Sequence, residues 1–123
     1  MAASVERYLA ALDEQDWSGL AATLTDGDFE RIGPYCDVVP SKTEYVAYLD
    51  RVVSSLPEYR LTPERVVSTE GVVYAEITES CVHAGEKMAF PEVLVFDLAD
   101  DGLIRRIQVY MMQPGQEPDG ADS

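Results

Sequence analysis

Two glutamates, a lone histidine and one tyrosine are the residues of this 123-residue chain whose types and spacing could do chemistry. Glu79 and His83 lie in an extended run, Val72 to His83, where a period of two places them on one face with Ile77 and Cys81. If Ala84-Gly85 is a hairpin loop, Cys81 stands opposite Met88, Glu79 opposite Phe90 and Ile77 opposite Glu92. Glu79 and Glu92 then become diagonal neighbours, roughly 7–8 Å apart at the backbone. Two carboxyls on an apolar face can hold one proton between them near neutral pH, because burial and a like charge both disfavour ionisation. That is the equipment of general acid–base catalysis. His83 would serve as a second proton carrier at a pocket mouth. Tyr8 would donate a hydrogen bond to a substrate carbonyl or a developing oxyanion.

Each residue also has a plainer reading. Glu79 can pair with Arg60, Arg65 or Lys87. Glu92 follows Pro91, where a bulge would turn it to solvent. His83 can be an exposed residue beside a turn, and Tyr8, at helical spacing, a core aromatic with a satisfied hydroxyl. Tyr35 and Asp37 lie in a Pro-bounded loop, Pro34 to Pro40, that can close over a pocket or stand as ordinary structure. Tyr48 is the member of the Tyr45/Tyr48 pair expected to show its hydroxyl to a cavity.

The elements that must position these groups follow from periodicity. Val5, Tyr8, Leu9 and Leu12 form one face of a first helix. Asp16 can cap a short second helix with Trp17, Leu20, Ala21 and Leu24 inward. A short strand is expected around Phe29 to Ile32, before Gly33-Pro34. Ser41 and Glu44 make a capping box for a third helix, whose face is Tyr45, Tyr48, Leu49, Val52, Val53 and Leu56, and which Pro57 ends. Four period-two runs follow, Leu61 to Thr69, Val72 to His83, Lys87 to Leu98 and Leu103 to Met112, joined by loops short enough for hairpins. Pro63 and Pro91 suggest an edge or a bulge. Helices first and a strand meander after them predict an α+β domain, residues 1–112, with helices on one face of a curved antiparallel sheet. Residues 113–123, rich in Gly and acid, read as a disordered tail.

With Ala99 to Gly102 as the last loop, Leu94 stands opposite Ile107 and Glu92 opposite Val109. The inward face then includes Phe90, Phe96, Val109 and Met111, the expected apolar contacts of a substrate. The outward face carries Tyr74, Val82, Val95, Ile104, Tyr110 and Met112, large enough to suggest a homodimer through it.

Composition excludes several classes. Nine basic residues against 23 acidic ones leave a net charge of −14, which repels nucleic-acid phosphates. No apolar run approaches the roughly 20 residues that cross a bilayer. Cys36 and Cys81 are isolated thiols, and with one histidine no tetrahedral metal site is expected. No Gly-rich phosphate cradle or nucleophile elbow is present, so no cofactor is implied. With no secretory pattern at Met1-Ala2-Ala3-Ser4-Val5-Glu6, a cytoplasmic domain is expected.

The segments Val5-Glu6-Arg7-Tyr8-Leu9, Asp16-Trp17-Ser18-Gly19-Leu20, Val93-Leu94-Val95-Phe96-Asp97-Leu98, Asp101-Gly102-Leu103-Ile104 and Val109-Tyr110-Met111-Met112 resemble the nuclear transport factor two-like superfamily. That superfamily includes ketosteroid isomerases, limonene-epoxide hydrolases and SnoaL-like polyketide cyclases. The resemblance implies a cystatin-like cone of three N-terminal helices on a curved sheet, dimers through the outer face, and a small-molecule pocket. Tyr8 falls where the isomerases place an oxyanion-binding tyrosine. Their catalytic Asp would fall at Ile32-Gly33-Pro34 and their second oxyanion donor at Leu94, and neither acid is there. The final-strand acid of the epoxide hydrolases is also missing, from Ile107-Gln108-Val109-Tyr110. The expected function is a pocket for a small apolar or aromatic molecule. It is either cofactor-independent acid–base catalysis (isomerisation, cyclisation, dehydration or hydrolysis) or binding without chemistry. In the catalytic reading Glu92 is the proton carrier, Glu79 its partner and Tyr8 the polarising donor.

Overall fold

A computed structural model describes residues 2–113 of the chain. The tail expected from residue 113 onward lies, beyond Gln113, outside the described residues. Three helices come first in the chain with two short strands among them: α1 (Ala3–Glu14), α2 (Trp17–Ala21), β1 (Glu30–Ile32), β2 (Val38–Val39) and α3 (Lys42–Val53). Four long strands follow: β3 (Arg60–Thr69), β4 (Val72–His83), β5 (Glu86–Leu98) and β6 (Ile104–Met111). They form one six-stranded sheet in the order β2-β1-β6-β5-β4-β3. The pairing is antiparallel except between β1 and β6, which run parallel.

Local chemistry explains the boundaries. Asp16 Oδ1 accepts from Gly19 N–H at 3.0 Å and starts α2. The Ser41 hydroxyl accepts from Glu44 N–H and donates to Glu44 Oε2, both at 3.2 Å, which caps the start of α3. The inward faces of α1 and α3 meet the sheet through Val5, Tyr8, Leu12, Tyr45, Leu49 and Val53, all buried. At the centre Phe96, fully buried, meets Tyr8 edge-to-face at 5.3 Å. Asp13 ties α1 to the sheet edge, accepting from Leu61 N–H at 2.8 Å and from Arg60 Nε at 3.1 Å.

The two prolines resolve differently. Pro63 sits on the edge strand β3 beside a bulge, as a residue without an N–H should. Pro91 lies in the central strand β5 with its register to β4 unbroken. Its carbonyl accepts from Met112 N–H at 2.9 Å, so its nitrogen also faces the β6 side, past the last paired residue, Met111. No ladder bond is lost there and no bulge turns Glu92 outward.

The β5–β6 pairing departs from the expected one by two residues. Leu94 faces Val109 and Glu92 faces Met111, instead of Ile107 and Val109. The hairpin closes on Leu98 and Ile104, one residue later than expected, and a second single-residue shift follows between Asp97 and Leu98. The two shifts cancel in parity, so Ile107, Val109 and Met111 keep their inward side. Ile104, before the irregularity, does not keep the outward side expected of it: it is fully buried. Ile104→Ala should therefore lower unfolding free energy by about 2–4 kcal/mol in urea titration, while Tyr35→Ala, at a far more exposed position, should change it by about 0.5 kcal/mol or less.

Candidate functional site

The inward faces of α3 and of strands β4 and β5 do not close completely. Between them lies a cavity of about 420 Å³. On the helix side it is lined by Tyr48, Leu49, Val52, Val53 and Leu56; on the sheet side by Glu79, Cys81, Met88, Phe90, Glu92 and Met111. Arg31 from β1 and Tyr59, just before β3, complete the wall, and exposed His83 stands at the rim. The lining is apolar apart from a few convergent polar groups, the usual make-up of a small-molecule site.

Glu92 is 5% exposed and its Oε2 has no hydrogen-bond partner among the described residues. Burial raises its pKa far above the carboxylate range, and the neighbouring Glu79 carboxyl adds to the shift, against a smaller opposing pull from the Arg31 charge. Glu79 is held by Tyr59, whose hydroxyl donates to Glu79 Oε2. Burial and then the Glu79 charge push the Tyr59 hydroxyl well above its ordinary pKa, so it remains a donor. Of the three basic residues that could have neutralised Glu79, Arg60 pairs with Asp13 and Arg65 with Glu76, and Lys87, exposed, makes no ion pair among the described residues.

Arg31 is buried, with Nη1 bound to Asp37 Oδ2 at 3.1 Å and Nε without a partner. Its guanidinium lies 5.2 Å from the Tyr48 ring centroid and 6.0 Å from that of Tyr45. Tyr45 is pushed up to about 12, mainly by burial, and shares a 2.6 Å hydrogen bond with Tyr8.

Of the residues singled out in the sequence, the cavity thus gathers Glu79, Glu92, His83, Tyr48, Phe90 and Met111. It does not gather the others. Tyr8 is 1% exposed and its hydroxyl is occupied by Tyr45, so it packs as a core aromatic behind the cavity wall. Phe96 is sealed against Tyr8 and reaches no open space. Val109 is buried one pair further along the sheet, opposite Leu94. Tyr35 is 77% exposed on the β1–β2 turn and accepts from Gln113 Nε2, away from the cavity. Among the described residues, no group of three or more His, Cys, Asp or Glu side chains is arranged to hold a metal ion. No helix there is long and apolar enough to cross a membrane.

A family model, the SnoaL-like domain, matches residues 5–107. The chain belongs to the SnoaL-like family. Solved structures agree on the fold of this SnoaL-like chain. A candidate ketosteroid isomerase from Kribbella flavida superposes with a TM-score of 0.79 at 17% identity, covering 98% of this chain and 84% of its own. An LEH-like epoxide hydrolase from M. tuberculosis gives 0.77 at 22% identity, over 90% and 81% of the two chains. A candidate SnoaL-like polyketide cyclase from Shewanella denitrificans gives 0.76 at 16% identity, over 89% and 88%. No curated protein matches the sequence.

Two lining residues of the SnoaL-like site, Arg31 and Tyr59, were not singled out by sequence. Parity carried a signal for both. Arg31 sits between buried Phe29 and buried Gly33, a charge at an inward position of a short strand. Tyr59 precedes inward Leu61 by two.

The raised pKa of Glu92 has a consequence for stability. The folded state binds a proton that the unfolded chain, with an ordinary value of 4.5, releases. Stability from this group is therefore complete at low pH and is lost as pH rises toward the folded pKa. Unfolding free energy should fall with pH above about 5, by up to ~1.4 kcal/mol per unit. Glu92→Gln, uncharged at every pH, should flatten that slope in denaturant titrations at several pH values, and an unchanged slope would contradict a buried neutral Glu92.

Proposed function

We propose that this SnoaL-like domain binds a small apolar or aromatic molecule in the α3–sheet cavity and moves a proton on it without a cofactor. The observation that carries the reading is Glu92, buried on the cavity wall beside the Tyr59-held Glu79, with its Oε2 left unpaired among the described residues. In this reading one carboxyl of the pair takes a proton from a carbon or water of the substrate while the other, kept neutral by burial, returns one. No net charge enters or leaves the apolar site, which keeps the cost of moving the proton small. Glu92 is the proton carrier and Glu79 its partner. His83 at the rim can exchange protons with solvent. The polarising role expected of Tyr8 passes to groups on the wall, because the Tyr8 hydroxyl is spent on Tyr45. Isomerisation, cyclisation, dehydration and hydrolysis all begin with such a transfer. The varied assignments of the fold neighbours, isomerase, cyclase and epoxide hydrolase, support a scaffold suited to it.

The test is exchange of the C–H protons beside the carbonyl of an aryl ketone against deuterium, followed by NMR. The wild-type protein should accelerate exchange, and Glu92→Gln should lower that acceleration by roughly 10²–10⁴-fold with the fold intact. Equal exchange in the two proteins would remove Glu92 from the mechanism and favour the binding-module reading.

A second reading concerns assembly. Tyr74, Tyr110 and Met112 are exposed large apolar side chains on the outer sheet. They favour a homodimer through that face, as apolar groups left in water do. Gel filtration at micromolar concentration should give the dimer mass, and Tyr110→Glu should return the monomer.

A further inference from the structure

The acid–base pair leaves one expensive group in the cavity wall without a task. Arg31 is buried to nine-tenths, yet among the described residues only one of its hydrogen bonds is made, from Nη1 to Asp37. Burying a guanidinium with its donors unmade is unfavourable unless something else uses them. The surrounding turn is shaped to hold it there. Gly33 N–H donates to Asp37 O at 2.8 Å, and Cys36 N–H to Gly33 O at 3.0 Å, folding residues 33–37 into a tight loop. Tyr35 N–H donates to Asp37 Oδ1 at 3.2 Å and aims the carboxylate at Arg31. A Cβ at Gly33 would lie 2.6 Å from Arg31 Nη1 and 2.5 Å from Asp37 Oδ1, so only glycine leaves room for the pair. The Tyr45 and Tyr48 rings fix the guanidinium on its other sides.

We infer that Arg31 is the anchoring donor of the cavity and that it selects apolar ligands bearing an uncharged acceptor oxygen, such as an aryl ketone, over carboxylates. The inference rests on the reading of the cavity as a small-molecule site. Charge decides between the two ligand types. Arg31 and Asp37 cancel, Glu92 is neutral, and Glu79 contributes a formal negative charge to the same wall. An anionic ligand would meet that charge on an apolar wall, whereas a carbonyl oxygen takes a terminal guanidinium N–H that Asp37 leaves open, without adding a charge. Placed there, the oxygen also lies in the same cavity as the carboxyl pair, so negative charge building on it during proton removal would be met by Arg31.

Three matched probes test this: acetylnaphthalene, ethylnaphthalene and naphthoate, titrated by quenching of naphthyl fluorescence. In the wild type the ketone should bind more tightly than the naphthoate. The ratio of ketone to hydrocarbon affinity should fall about tenfold in Arg31→Met, with hydrocarbon affinity nearly unchanged. A ratio that survives in folded Arg31→Met, or a wild type that prefers naphthoate, would overturn the proposal and leave the cavity reading standing. Failure of every probe to bind the wild type would overturn both. Should Arg31→Met not fold, the wild-type protein still answers. Its Arg31 Nε–H NMR resonance, identified by its absence in Arg31→Lys, should shift with the ketone and not with the hydrocarbon; no shift overturns the proposal.

Discussion

A carboxyl group taken out of water on an apolar sheet face organises much of this structure. Glu92 is 5% exposed at a central position of β5, with Ile77 across one ladder and Met111 across the other. An isolated carboxylate there would be costly enough to disrupt packing, so burial drives the group to its neutral form. Keeping it requires a neighbour that shares the polar character of the site. Glu79 fills that need, and Tyr59 in turn holds Glu79 from the other side. A chain of three ionisable side chains thus runs from the start of β3 across β4 to β5, on a wall otherwise made of Cys81, Met88, Phe90 and Met111.

Two designs of buried polarity can be contrasted within the same core. Tyr8 and Tyr45 satisfy one another through a 2.6 Å hydrogen bond and are sealed among aromatic and aliphatic neighbours, which makes them structural. Glu92 and Arg31 are also buried, but each keeps a polar atom without a partner among the described residues, and both line the cavity. Unmade hydrogen bonds in native proteins are few, and two of them on residues that line one cavity mark a site more clearly than polarity alone. The SnoaL-like fold supplies the cone, and it does so for neighbours with different assigned chemistries. In this chain the cone holds two polar side chains left incomplete, Glu92 and Arg31.

The reach of the sequence can be judged strand by strand. The Ala84-Gly85 hairpin allows only one pairing that keeps the apolar side chains together, so Cys81 with Met88, Glu79 with Phe90 and Ile77 with Glu92 were legible before any coordinates. The two N-caps, Asp16 and Ser41, and the helix faces were legible for the same reason, since they depend on residues three or four apart. The β5–β6 turn was not. Where that hairpin closes and where its irregularity falls depend on how Ile104 is drawn into the core beside Thr23 and Leu24, residues about eighty positions earlier. No local pattern announces that contact, and Ile104 was placed on the wrong side as a result.

By itself, then, the sequence determined the order of elements, the α+β class, the inward side of β4 and β5, and hence the pairing of two acids on an apolar face. Each of these follows from short-range periodicity and from the cost of exposing apolar surface. Only the tertiary structure decided which inward residues border empty space and which are packed solid. Tyr8 and Phe96 fill each other's neighbourhood, Tyr35 turns to solvent, and Arg31 and Tyr59 arrive at the wall from distant segments. A side chain's face is set by its own strand, but whether that face meets a partner or a void is set by elements far away in the chain.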